Sequence, residues 1–382
     1  MYFCGVDKLN RIAGEQIKQW LFRRKALILT GARQVGKTTM LRNIFANEDA
    51  VLWLNADEAP VRERLSELSI PNLNQVVGLN RILIIDEIQR IENAGLLLKL
   101  LVDNVPDTQV IATGSSALDI SERIFEPLTG RHLLFHLYPF GLAELYPDKS
   151  AFEIENQLPF HLIYGNYPEI SLNRDIAKTL LTNLAGQYLY KDVLVWKDIR
   201  KPELLDKLLK LLAYQIGSEV SVHELATQLK VKSETIESYI DLLEKSFVVY
   251  RLNAYSTNPR KEVSKMSKIY FWDNGIRNAV IGNFDDLTIR RDIGELWENF
   301  VVSERMKMNA WRHPDRQSYF WRNYNQSEVD YVELENHQLS GFECKWNVKK
   351  KHKVTAAFTN SYPEAKTEVI TPRNFVEFCG VG

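Results

Sequence analysis

Gly31-Ala32-Arg33-Gln34-Val35-Gly36-Lys37-Thr38 satisfies every fixed position of the pattern GxxxxGK[ST]. The apolar run ALILT at 26–30 precedes it, and residues 37–46 follow with helix formers that put Leu41, Ile44 and Phe45 on one side. Strand, glycine loop and helix in that order make an anion cradle. The glycines let the loop curl until its N–H groups and the positive end of the helix face a phosphate. Lys37 is expected to reach the β- and γ-phosphates and the Thr38 hydroxyl to bind Mg²⁺, with Gly31, Ala32, Arg33, Gln34, Val35, Gly36 and Thr39 completing the nucleotide loop. Arg33 reads equally as a nucleotide contact or as the partner of an acid.

Working outward, further buried-strand runs occur at 50–54, 81–86, 108–113 and 133–138, separated by polar or helical stretches. Apolar runs without alternation, interleaved with helices, indicate a mostly parallel sheet covered on both faces, so residues 1–145 read as one α/β domain. The run at 81–86 ends in Ile85-Asp86-Glu87, an acidic pair at the strand edge where open α/β sheets bind ligands. Asp86 is expected to hold Mg²⁺ and Glu87 to act as general base on the attacking water. The run at 108–113 leads into Gly114-Ser115-Ser116, which places Ser115 where a polar sensor would touch the γ-phosphate.

The whole chain narrows the classes. With 382 residues, 45% of them hydrophobic and 25% charged, it has material for two or three domains and little for long disorder or a disulfide scaffold. Its 48 Lys+Arg and 49 Asp+Glu leave a formal net charge of −1, so any polyanion site must be local. Cys4, Cys344 and Cys379 are scattered, which fits a reducing compartment and offers no clustered zinc site. Neither a secretory leader nor a membrane-length apolar run is present, so a soluble cytoplasmic protein without membrane association is expected.

Beyond the first domain, residues 146–200 turn helical, with a turn at 164–168 and an amphipathic stretch over 175–190, and read as a helical lid or linker. Helical segments at 203–216, 221–229 and 233–243, then an apolar run at 247–252, follow the order of a winged helix over 201–258. A recognition helix at 233–243 would carry Glu234, Glu237 and Asp241, with Glu244 just beyond, a charge that disfavours a DNA groove. Residues 259–382 suggest a second α/β domain around a mixed sheet, with KIYFWD at 268–273, a long helix around 292–308, and strands at 317–322, 328–334 and 339–346. There Asp330 begins one strand and Glu343-Cys344-Lys345 lies on the next. Side chains two apart on a strand share a face, so Asp330, Glu343 and Lys345 are expected together: two carboxylates to hold Mg²⁺, and a lysine to position or activate water. Lys345, Lys349, Lys350, Lys351 and Lys353 form a basic cluster beside them, and Trp321, Arg322, Tyr324 and Trp346 offer stacking surfaces for DNA. Residues 201–382 nevertheless hold 26 Lys+Arg against 25 Asp+Glu, so that half as a whole is not basic.

GARQVGKTT, IIDEIQ, ATGSS and LeuThrGlyArg at 128–131 together resemble AAA-type P-loop ATPases of the additional-strand class, over residues 20–140. More narrowly they resemble a bacterial and archaeal ATPase family whose second half is a domain of unknown function. The resemblance implies ATP as nucleotide, a sensor strand between the two phosphate-site strands, and Arg131 as an arginine acting in cis or at a neighbouring subunit after self-association. The segments around Trp297-Glu298-Asn299, SEVDYV at 327–332 and FECK at 342–345 resemble that family's C-terminal domain and the PD-(D/E)xK nuclease fold, with Glu298 matching an additional helical acid and metal ligand. Val329 departs from the proline of that pattern. The implied fold is a P-loop NTPase parallel sheet with helical lid, then a winged helix and a restriction-endonuclease-like α/β domain. Two functions follow from it: a Mg²⁺-dependent ATPase coupled to DNA, or a nucleotide-gated switch whose C-terminal module is inert.

Overall fold

The computed structural model describes residues 10–115, 126–194, 202–256, 267–349 and 352–381. In its first unit, residues to 138 together with 245–247, strands β1 (Ala26–Thr30), β2 (Val51–Asn55), β3 (Ile82–Asp86), β4 (Gln109–Gly114) and β5 (His132–His136) form one sheet in the order β2-β3-β4-β1-β5. All four pairings are parallel. Every position of β1 and β4 is buried, the expected result for unalternating apolar runs covered on both faces. Ile28, Leu83, Ile85, Val110 and Ala112 pack with Leu73 and Val77 of helix Ile70–Val77 and with Leu97, Leu98 and Leu101 of helix Ala94–Asn104. Because β4 lies between β1 and β3, the C-terminal ends of these three strands stand side by side, and the phosphate loop, Asp86 and Ser115 leave the sheet at one edge.

The second unit spans 139–244 and 248–382. Helix Asn274–Ile281 packs on helices Ala151–Tyr164, Ala177–Leu194 and Pro202–Tyr214. The strands β6 (Glu219–Val220), β7 (Val249–Asn253) and β8 (Ser267–Phe271) make an antiparallel sheet in the order β6-β8-β7. KIYFWD, expected in the C-terminal sheet, supplies β8, so this sheet runs across the boundary placed at 258. Its pairing with β7 buries Ile269, Tyr270 and Phe271.

The C-terminal sheet is mixed, as expected. Strands β9 (Gln317–Arg322), β10 (Glu328–Glu335) and β11 (Gln338–Cys344) pair antiparallel, and β12 (Lys366–Ile370) adds parallel to β11. Trp321, Val329, Val332, Leu339 and Phe358 close one core of this region. The register of β9 on β10 shifts between Val329 and Val332, a bulge that falls at Asp330. No apolar run announced β12, whose first three positions are exposed. No described helix is long and apolar enough to cross a membrane.

Candidate functional site

At the first site the strand-to-helix turn leaves no room for a side chain at position 31. A Cβ on Gly31 would stand 2.1 Å from the Leu137 carbonyl oxygen. Gly36, with φ 91°, ends the loop in the left-handed region immediately before helix Lys37–Ile44. Gln34 holds φ 59° without being glycine, a conformation tolerated where the surroundings impose it. The Lys37 ammonium is buried and donates to the carbonyls of Gly31 (2.8 Å) and Ala32 (2.9 Å). The Thr38 hydroxyl donates to Asp86 Oδ2 at 2.8 Å, and the Thr113 hydroxyl donates to the other oxygen of the same carboxylate.

Glu87 sits at φ 54°. Its Oε2 accepts from Gln89 Nε2 and from the Ser115 hydroxyl (3.3 Å), while its backbone N–H points to Thr113 Oγ1 at 3.4 Å. Arg33, Gln34, Gly36, Lys37, Thr38, Thr39, Asp57 and Glu87 line a cleft of about 380 Å³. Ala32 and Val35 are buried under the loop. Asp57, paired with Arg90 at 3.1 Å, and Gln89 escaped the sequence reading. The signal for Asp57 was its place just past β2, at the same edge as Asp86. The donors fit Mg²⁺, which takes hard oxygen ligands and needs few from protein when phosphate and water supply the rest: one hydroxyl and one carboxylate already touch.

Arg131 lies elsewhere. It directly precedes β5, and its carbonyl accepts from the Ala26 N–H at the start of β1. Five residues of strand, roughly 16 Å, separate that edge from the phosphate loop. Its guanidinium pairs with Asp103 at 2.8 Å, and the strand's length excludes the approach to phosphate within the same chain.

In the C-terminal region the structure assembles the expected trio. Lys345 Nζ lies 3.0 Å from Asp330 Oδ2 and 2.6 Å from Glu343 Oε2, and the Cys344 N–H donates to Asp330 at 2.8 Å. Glu298 is turned to other partners: Lys268 Nζ at 3.1 Å and the Tyr270 hydroxyl at 2.6 Å. Lys268, 1% exposed, also reaches Glu328 at 2.5 Å. Burial pushes the Glu298 carboxyl up to about 7, with the Asp330 charge adding to it and Lys268 opposing. Burial and then Asp330 push Glu343 up to about 7 against Lys345. Burial alone would lower the two lysines, but the surrounding carboxylates outweigh it and hold both above the ordinary ammonium value. Among the described residues no group of three or more His, Cys, Asp and Glu is placed to hold a metal ion.

The aromatic surfaces expected beside this trio are mostly internal. Trp321 is buried, its ring 5.3 Å from that of Phe358, and Trp346 lies 5.7 Å from Trp297. Arg322 pairs with Glu219 at 2.8 Å. Tyr324 alone of the four is open, at 92% exposure. In the basic cluster, Lys350 and Lys351 lie outside the described residues.

Residues 23–146 match the AAA domain. This portion of the chain is an AAA-type P-loop ATPase fold, with β4 between β1 and β3. Residues 155–287 match Domain of unknown function (DUF8612), and residues 293–377 match Domain of unknown function (DUF4143). The chain is 29% identical to an uncharacterized protein of Mycobacterium tuberculosis over 344 residues, 88% of this chain and 74% of the relative. An uncharacterized protein of Methanocaldococcus jannaschii is 29% identical over 300 residues, 68% of this chain and 63% of the relative. Among solved structures, the Walker-type ATPase PABY2304 of Pyrococcus abyssi superposes with a TM-score of 0.45 at 16% identity, covering 72% of this chain and 96% of that one.

Outside the AAA domain, the acid-rich helix Ser233–Lys245 has three of its four acids engaged within the second unit. Arg251 on β7 pairs with Glu237 (2.7 Å), Asp241 (2.9 Å) and Glu244 (3.3 Å). One guanidinium thus ties three carboxylates of the helix to the neighbouring strand.

Proposed function

We propose that the chain is a Mg²⁺-dependent ATPase. The observation that carries this reading is the 2.8 Å hydrogen bond from Thr38 to Asp86 at the foot of the cleft. Two residues 48 positions apart in sequence meet there as a ready hydroxyl–carboxylate pair. Thr38 and Asp86 would hold Mg²⁺, whose positive charge would offset that of the phosphates. Lys37 would exchange the carbonyls of Gly31 and Ala32 for β- and γ-phosphate oxygens, keeping its ammonium satisfied throughout. Glu87 would leave Gln89 and Ser115 and accept a proton from the attacking water. Phosphate release by the wild type, Lys37→Ala and Glu87→Gln, each with Mg²⁺ or with chelator, tests this. Lys37→Ala should lose nucleotide binding, and Glu87→Gln should bind ATP yet turn it over about 10²–10⁴-fold more slowly. Unchanged hydrolysis in Glu87→Gln would remove Glu87 from the role of base.

For the rest of the chain we propose a helical lid at 146–200, a winged-helix module at 201–258 and a PD-(D/E)xK nuclease-like domain at 259–382, coupled through the ATP cycle to DNA. The order helix, short strand, two helices, then two paired strands supports the winged helix. The meeting of Asp330, Glu343 and Lys345 supports the nuclease-like site. Five carboxylates (Glu219, Glu298, Glu328, Asp330, Glu343) face three cations (Lys268, Arg322, Lys345), a formal surplus of negative charge.

A second reading, a nucleotide-gated switch with a catalytically inert C-terminal module, is favoured by Glu298, which is engaged by Lys268 and Tyr270 rather than open beside Asp330 and Glu343. Cleavage of plasmid and single-stranded DNA by the wild type, Lys37→Ala and Lys345→Ala, with and without ATP, decides between the two. Cutting lost in Lys345→Ala supports the nuclease; ATP hydrolysis without any cutting supports the switch.

A further inference from the structure

We infer that the edge of the AAA sheet opposite the nucleotide cleft is a binding surface for single-stranded nucleic acid. A parallel sheet gathers the residues that precede its strands at one edge, and here three of the five are cationic: Lys25 before β1, whose ammonium donates to the Gly130 carbonyl, Arg81 before β3 and Arg131 before β5. In the strand order these positions span three inter-strand spacings, roughly 14 Å. Stacked nucleotides rise roughly 3.4 Å each along one strand, so the row matches about four of them.

Ahead of Lys25 the chain makes a rigid knuckle. Phe22 (φ 58°) and Arg24 (φ 54°) are both left-handed without being glycine. The buried side chain of Gln109 pins this shape, accepting from the Phe22 N–H at 2.6 Å and donating to the Lys25 carbonyl at 2.8 Å. Strain held by a buried polar anchor marks a loop kept in one presenting conformation.

What the knuckle presents is aromatic and basic. Trp20 and Phe22 are 44% and 46% exposed, and the Arg81 guanidinium lies 5.1 Å from the centre of the Phe22 ring. Neither Arg23 nor Arg24 has an acidic partner among the described residues, and both are exposed. Acids also lie at this edge: Glu48 and Asp49 ahead of β2, Asp107 ahead of β4, Glu126 in the turn ahead of β5, and Asp103, which is already paired with Arg131. Open arginines beside exposed aromatic rings suit a phosphate backbone whose bases stack on the rings. An acidic peptide would leave the rings unused.

The test uses the full chain without nucleotide, so its outcome is independent of ATP hydrolysis. Fluorescence anisotropy with a labelled oligo-deoxythymidine of about 15 residues is measured across salt for the wild type, Arg23→Glu/Arg24→Glu and Trp20→Ala/Phe22→Ala, with thermal unfolding as the folding control. The arginine variant should bind at least about tenfold more weakly and its log–log salt slope should fall by roughly 1.4, two phosphate contacts at about 0.7 each on a single strand. The aromatic variant should weaken binding with the salt slope kept. Photo-crosslinking through 5-iododeoxyuridine should mark Trp20 or Phe22. Wild-type affinity in the arginine variant, crosslinks confined to the second unit, no binding by the wild type at low salt, or binding to anionic phosphatidylserine vesicles in place of the oligonucleotide would each overturn the inference.

Discussion

Replacing Glu298 by glutamine should stabilise the protein above neutral pH and leave it almost unchanged near pH 5. In the fold the Glu298 carboxyl titrates at about 7, against an ordinary 4.5. Between those values the folded chain keeps a proton that the unfolded chain has lost. Stability from this group is therefore present below about 4.5 and lost as pH rises to about 7, where the folded carboxyl also ionises. At about 1.4 kcal/mol per pH unit the full effect is on the order of 3 kcal/mol. Asp330 acts on both Glu298 and Glu343, so a single replacement should recover about 1–3 kcal/mol. The amide of Glu298→Gln would carry no charge to desolvate, and Lys268 would keep Glu328 at 2.5 Å, so no buried ammonium is stranded. Urea unfolding followed by tryptophan fluorescence, with chelator present, from about pH 5 to pH 8.5 would read the difference between variant and wild type. A difference independent of pH, or a variant less stable than the wild type at pH 8, would refute the account of the cluster.

Gly31→Ala should lower stability by about 1–3 kcal/mol and weaken nucleotide binding, since the new methyl meets the Leu137 carbonyl at 2.1 Å; chemical denaturation and nucleotide titration check both. Arg131→Ala should leave ATP affinity within about twofold at protein concentrations low enough to prevent self-association, because Arg131 sits a strand's length from the loop; a larger loss would place it at the phosphate. Arg251→Ala should cost about 1 kcal/mol and make unfolding more salt-dependent, as Glu237, Asp241 and Glu244 are left facing one another. The loss is small because these pairs are partly exposed to solvent, and denaturant unfolding at low and high salt reads it.

Sequence alone was enough for the phosphate loop, the acidic pair Asp86-Glu87 and the association of Asp330 with Glu343 and Lys345. Each depends on short-range spacing: a glycine loop between strand and helix, acids at a strand end, and side chains two apart on one strand beside the strand that a hairpin joins to it. The parallel character of the first sheet was likewise legible in its unalternating apolar runs. Strand order carries no local signature: the place of β4 between β1 and β3 came from the family resemblance, and only the tertiary structure brought Thr38 to Asp86 and sent Arg131 to the far edge. The same holds for β8, whose apolar face suits either neighbouring sheet and pairs with β7.

Partner choice inside the C-terminal cluster was also beyond sequence. Glu298 and Lys268 are 30 residues apart and meet because both are buried, where an ionic group must find an opposite charge or change protonation. Trp321 reads as a stacking surface until its neighbours are known, and packing against Phe358 makes it core. Local chemistry is written in covalent neighbours. Which groups face one another is decided by what must be kept from water.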